Sequence, residues 1–190
     1  MVDYIIHSQT FMTQLKSHVG IVIFVSTNIL SLDRAIQNAI LWLNDIKEEL
    51  QWENRDTVYK ATKAVLQTTR DRLPFEEVVH FSANLPLIMK GMLMDGYDLK
   101  DKPLKMKSVE EFYEYIQQYY DAQRRDIINS RDAARAVINV LNRRMGGGEM
   151  QKVAANMPEK IRRLFQTAGA EQAEPTTRRE LKYHNNNHFD

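Results

Sequence analysis

From Ser31 onward the chain carries apolar residues at three- and four-residue spacings: Leu32, Ala35, Ile36, Ala39, Ile40, Leu43, Ile46 and Leu50. That rhythm puts them on one stripe of an α-helix, with Ser31 placed to act as N-cap and Asp33 in the first turn. A second helix is predicted from about Asp56 to Arg72, with Val58, Ala61, Val65 and Leu73 inward. It should stop before Pro74, because proline disfavours the helical region in the residue ahead of it. Pro74 then opens a short third helix through Phe75 to Ala83. Asn84-Leu85-Pro86 is expected to start a fourth that runs through Met94 and stops at Gly96. Residues 97–107, with Pro103 and mixed charges, read as a linker. Ser108-Val109-Glu110-Glu111 has the spacing of a capping box ahead of a helix carrying Phe112, Tyr115, Ile116 and Tyr119.

The pattern repeats. Residues 61–96 align without a gap on 133–168 at a constant offset of 72, and eight of the 36 positions are identical: Ala61/Ala133, Ala64/Ala136, Val65/Val137, Arg72/Arg144, Glu77/Glu149, Ala83/Ala155, Asn84/Asn156 and Pro86/Pro158. A fixed long-range offset is the mark of internal duplication. The fold class expected is therefore all-α, with two tandem, pseudo-symmetric helical modules of about four segments each, residues 31–103 and 104–168. Two copies are fewer than a solenoid needs, so they are expected to share one core. After Ala168 the segment 169–190 has almost no apolar residues and ends Asn-Asn-Asn-His-Phe-Asp, the composition of a disordered tail. Residues 1–30 read as an N-terminal extension. Val25-Ser26-Thr27-Asn28 has the form of an ordinary start if a valine codon initiates, which makes residues 1–24 an over-extended translation.

At 190 residues and 43% apolar, the chain can bury a real core. It has no cysteine, which excludes a disulfide scaffold, a thiolate nucleophile and the usual structural zinc sites. The longest apolar run, Val19 to Val25, has seven residues against the roughly 20 of a membrane span, so no membrane association is expected. The segment around it also makes a poor secretory signal, and a cytoplasmic location follows as the expectation. Lysine and arginine (26) nearly cancel aspartate and glutamate (25) over the whole chain. Locally they do not: residues 31–101 carry 9 basic and 12 acidic groups, net −3, whereas 122–167 carry 10 and 4, net +6. The plain reading of the basic segment is complementarity with Glu110, Glu111, Glu114 and the first module. The sharper one is a nucleic-acid footprint.

The ordered combination Ala64-Val65-Leu66, Arg70-Asp71-Arg72-Leu73-Pro74 with Glu76 and Glu77, Ala83-Asn84-Leu85-Pro86, Lys90-Gly91 and Gly96-Tyr97 resembles the first half of the domain of unknown function 2267. Ala136-Val137 through Gly147-Gly148-Glu149 to Met157-Pro158 is similar to its second half, and Trp42-Leu43 fits the first helix. The resemblance covers about Leu32 to Phe165. It implies a small, soluble, helical bacterial protein and carries no assigned activity. Asn84 departs from the family's more frequent glutamine, and Lys90 from its usual arginine.

Candidate chemistry is thin. Glu76 and Glu77 form a pair of carboxylates, but they fall in a first helical turn where acids favour the dipole, and Glu149 repeats the position. Arg70, Asp71 and Arg72 resemble an anion clamp, yet an arginine in a last turn suits the carbonyl end, and a salt bridge between modules is the expected role. Gly146-Gly147-Gly148 precedes a helix without the lysine and hydroxyl of a P-loop, and Glu149 would repel phosphate. His80 aligns with Lys152 and reads as an exposed helix residue. His184 and His188 lie four apart in the asparagine-rich tail, a fortuitous pair rather than a metal site. Tyr113, Tyr115, Tyr119 and Tyr120 crowd one helix, and Met89, Met92 and Met94 another. Packing explains part of each, and an interaction surface is the candidate function for the rest.

The sequence thus predicts a non-enzymatic helical interaction module without cofactor or metal, binding a protein partner or a second copy through those tyrosines and methionines. Nucleic-acid binding through residues 122–167, and an enzyme with an unrecognised site, are the alternatives.

Overall fold

A computed structural model describes residues 27–121 and 128–167, and all regular structure among them is helical. In chain order the helices are α1 (Leu30–Leu50), α2 (Arg55–Arg72), α3 (Phe75–Ala83), α4 (Leu87–Met94), α5 (Val109–Asp121), α6 (Ser130–Met145), α7 (Gly147–Ala155) and α8 (Glu159–Thr167). The expected tail and most of the N-terminal extension lie outside the described residues. Residues up to Arg34 form one unit, and the chain from Ala35 on forms a second, compact one. In the first, Asp33 accepts hydrogen bonds from the Thr27 backbone N–H at 2.8 Å and its hydroxyl at 2.9 Å. Ser31 is inside α1 and does not cap it, because the helix begins one residue earlier.

Within the second unit α2 and α6 are the central helices. Each begins at an asparagine whose side chain accepts a backbone N–H: Asn54 from Thr57 at 3.0 Å, Asn129 from Asp132 at 3.2 Å. Small and branched residues allow both to be buried on several faces, Ala61, Ala64, Val65 and Leu66 on α2 and Ala133, Ala136, Val137 and Ile138 on α6. Thr62 and Thr69, fully buried, donate their hydroxyls to the carbonyls of Val58 (2.7 Å) and Val65 (2.9 Å) and so leave no orphan donor. α2 packs against α4, α5 and α6, and α5 against α6 and α8. One continuous core runs from Trp42 to Phe165, and Phe112 of α5 meets Phe165 of α8 edge to face at 6.0 Å.

The linker expected at residues 97–107 is a packed strap. Met106 is buried, Leu104 is half-buried, and the Leu104 N–H donates to the Asp71 carbonyl at 2.7 Å. Gly96, with φ +62°, turns the chain out of α4, as an αL residue must. At the other end Ser108 accepts from the Glu111 N–H at 3.1 Å, and the Glu111 carboxylate accepts from the Lys107 backbone N–H at 2.9 Å, the two halves of a capping arrangement.

Asn84 and Asn156 are not helix starts. Each closes the preceding helix, donating its amide back to a carbonyl four residues earlier, Asn84 to His80 at 3.2 Å and Asn156 to Lys152 at 3.0 Å. Pro86 itself stands at the cap of α4. The short helices α3 and α7 begin and end 72 residues apart. α1 departs from its predicted stripe: Ala39, Trp42, Ile46 and Leu50 are buried, while Ile40 (44%) and Leu41 (53%) remain exposed.

Candidate functional site

The last turn of α2 places two consecutive charges, Arg70 and Asp71, in the core, 1% and 0% exposed. Such burial is tolerable only if each polar atom finds a partner. Arg70 Nε donates to Asp71 Oδ1 at 2.6 Å, and its terminal nitrogen donates to the carbonyls of Leu93 (2.6 Å) and Asp95 (3.1 Å) where α4 ends. The guanidinium lies 4.5 Å from the centre of the Tyr97 ring. The second oxygen of Asp71 accepts from Lys102 Nζ at 2.6 Å and from the Tyr119 hydroxyl on α5. One carboxylate thus joins α2, the strap and α5.

The electrostatics follow from that geometry. Burial alone would raise the Asp71 pKa, but hydrogen bonds from Arg70, Lys102 and Tyr119, with the charge of Arg70, outweigh it and hold the carboxyl below its ordinary 3.8. Tyr119 is pushed up to about 12 by burial and by its bond to the Asp71 carboxylate. Tyr97 is raised by burial and then by the same charge, and its hydroxyl is buried without a hydrogen-bond partner among the described residues. A phenol so raised and a carboxylate so lowered are both far from titrating near neutrality, so the cluster holds its protons in place.

Beside this cluster the strap and the end of α2 border an open cleft of about 930 Å³, lined by Arg72, Asp101 to Lys107 and Pro158. Its cations are Arg72, Lys102, Lys105 and Lys107, and its acid is Asp101. Arg72 Nε is buried without a hydrogen-bond partner among the described residues, and burial lowers the pKa of the group.

With the polar cluster resting on Arg70, Asp71 and Tyr97, the comparisons with known proteins bear directly on these residues. The family model described as "Uncharacterized conserved protein (DUF2267)" matches residues 41–180. The chain belongs to this family. A search of curated proteins finds no match. The match spans every cluster residue of this DUF2267 chain, from Arg70 through Tyr119, and the whole lining of the cleft.

The residues singled out in the DUF2267 sequence as an interaction surface are dispersed. Met89, Met92 and Tyr120 are core residues, Tyr119 is bound to Asp71, and Tyr113 and Tyr115 pack half-buried against the core. Arg131 lies over the Tyr113 ring at 5.4 Å. Of the seven only Met94 is exposed. Apolar residues at both faces of α4 and α5 are explained by packing on two sides, against α2 and against neighbouring helices or the strap.

Glu76, Glu77 and Glu149 occupy first turns as expected, and His80 is exposed. Glu149 is held below its ordinary pKa mainly by Lys152, 2.7 Å away, and it also accepts from Asn84 at 3.2 Å. Among the described residues, the arginines of the basic segment form no ion pair with Glu110, Glu111 or Glu114. Arg143 pairs with Glu49, Arg144 with Asp45 at 2.6 Å, Arg163 with Glu159 at 2.8 Å, and Arg162 donates to the carbonyls of Ala154 and Met157. The acids that answer Arg143 and Arg144 sit on α1, whose approach to α6 no local pattern encodes. Arg124, Arg125, His184 and His188 lie outside the described residues. Among the described residues no three histidine or acidic side chains converge as metal ligands, and no helix is long and apolar enough to cross a membrane. Sequence reasoning missed Lys102 and Tyr97, which lie in the aperiodic strap and carry no helical signal.

Proposed function

We propose that this chain is a non-enzymatic helical interaction module whose docking face is formed by α1 and the start of α2. The observation that carries the reading is the open half of the α1 stripe. Ile40 and Leu43, with Val58 of α2 beneath them, line a groove of about 200 Å³ edged by Lys47 and Arg55. Apolar side chains left open at helical spacing, with cations along the rim, suit an amphipathic helix flanked by carboxylates. Asp71 and Tyr119, buried together at the end of α2, are spent on each other and on Arg70 and Lys102, which favours binding over catalysis.

Internal duplication is part of the same proposal. Arg70 donates to the Leu93 carbonyl and Asn142 to the Phe165 carbonyl at 3.2 Å, positions related on both sides by 72 residues. Asn84 and Asn156 close their helices alike. Such recurrence favours two copies of one module that have since diverged at residues 70 and 71.

The test is photo-crosslinking in the native host from a reactive residue at position 43, with position 100 as control. A product specific to position 43, whose attached segment is an acidic amphipathic helix of a partner or of a second copy, supports the reading. Products equal at both positions refute it, as does an attached segment of different character. Ile40→Asp should abolish the specific product while leaving the helical content intact.

A further inference from the structure

The cleft beside the strap holds an arginine with no acidic partner among the described residues. Arg72 and Arg144 occupy the same position at the offset of 72, each in the last turn of a central helix. Arg144 pairs with Asp45 at 2.6 Å and lies over the Trp42 ring at 5.5 Å. Arg72 forms no ion pair with any described residue, although its Nε is fully buried and burial disfavours its charge. Nε is closed off from solvent, but the terminal nitrogens of this half-buried side chain make no hydrogen bond to a described residue, and a bound oxyanion would offset the partial desolvation of the charge through them. Lys105 and Lys107 line the same cleft and are likewise without ion-pair partners among the described residues, whereas Lys102 is committed to Asp71. The opposing acid is Asp101 alone. Pro103, Leu104 and Pro158 supply an apolar wall.

We infer that this cleft binds a small molecule carrying a phosphate or carboxylate next to an apolar body, with the Arg72 guanidinium gripping the oxyanion and Lys105 and Lys107 adding charge at the mouth. A planar guanidinium matches either oxyanion in two-point fashion, and a lining of four cations against one acid, beside Pro103, Leu104, Met106 and Pro158, suits an anionic group carried on an apolar body. The site is separate from the α1 groove and stands whether or not that groove has an occupant.

Amide NMR on the full chain tests it, with phenyl phosphate, 3-phenylpropionate and inorganic phosphate as probes. Saturable shifts of the Leu104, Lys105 and Met106 amides are expected with the phenyl compounds, and the tighter of the two identifies the oxyanion. Arg72→Gln should weaken binding about tenfold or more, the value of one charge-assisted contact. If that variant does not fold, the exposed pair Lys105→Gln/Lys107→Gln decides: about a threefold loss supports the site and unchanged affinity overturns it. Absence of saturable shifts up to roughly 10 mM probe, or equal affinity in Arg72→Gln, also overturns it. Inorganic phosphate binding as tightly as phenyl phosphate overturns the apolar half of the inference.

Discussion

Replacing Asp71 by asparagine keeps the shape of the side chain and removes the charge on which three donors converge. Asparagine offers one acceptor oxygen and an amide that is itself a donor, so one of the bonds from Arg70, Lys102 or Tyr119 becomes donor against donor. Arg70, 1% exposed, is then left as a buried cation whose partners are carbonyls and an aromatic face. Removing one member of a buried pair costs about 3–5 kcal/mol. Lys102, with 16% of its side chain exposed, can turn toward solvent and Tyr119 can rotate its hydroxyl, so the lower end, about 3 kcal/mol, is expected. Urea unfolding followed by far-ultraviolet circular dichroism measures it, with an unchanged slope confirming that the transition is the same. The double variant Arg70→Met/Asp71→Leu should lose less than the sum of its singles, by about 2 kcal/mol, because it strands no charge. A loss under about 1 kcal/mol for Asp71→Asn, or strict additivity in the cycle, refutes the assignment of this cluster as a mutually dependent unit.

Other expectations follow from the same geometry. The folded pKa of Asp71 lies below its ordinary 3.8, so its contribution is fully present above pH 3.8 and is lost as pH falls through the depressed value; in Asp71→Asn, acid unfolding should lose that component. Tyr119 titrates at about 12 rather than 10.0, so its contribution is present below pH 10 and is lost as pH rises toward 12. Tyr119→Phe should flatten that alkaline limb, as measured by denaturation across the range. Gly91 is helical with open space where a Cβ would go, and Gly91→Ala should stabilise by about 0.5–1 kcal/mol. Gly96→Ala meets equal space at φ +62° and should destabilise by about 1 kcal/mol, so thermal melts of the two variants should move in opposite directions. Asn54→Ala and Asn129→Ala should each cost about 1 kcal/mol through loss of an N-cap, read in the same melts.

Helix order was legible because it depends on local signals. Pro74, Gly96 and the Ser108 to Glu111 spacing each mark a boundary that the chain observes within a residue or two. The role of Asn84 was not, because an asparagine two residues ahead of a proline satisfies the pattern of a helix start and of a helix end equally well. Only the position of the neighbouring carbonyls decides between them. Tyr119 and Met89 carried a surface reading because a helix buried on two sides has no polar face to reveal its direction. The Arg70 and Asp71 pair drew attention for its charge, but its partners come from Leu93, Lys102 and Tyr119, up to 48 residues away. No periodicity links those positions. The cleft around Arg72 depends on the path of the strap and was equally hidden.

The strap also has a meaning for how the chain can be divided. Its outer bend around Asp98 to Asp101 is exposed, while its two ends are tied inward at Tyr97 and at Leu104 to Met106. The core joins helices from both sides of that bend, so neither side encloses a complete interior alone. A single cut at Lys100 would therefore release no independent domain. It would create two complementary fragments held by a common interior, able to reconstitute the native assembly from separate pieces. The bend is the natural place to split this protein into a reporter pair, or to insert a foreign domain without crossing the interior.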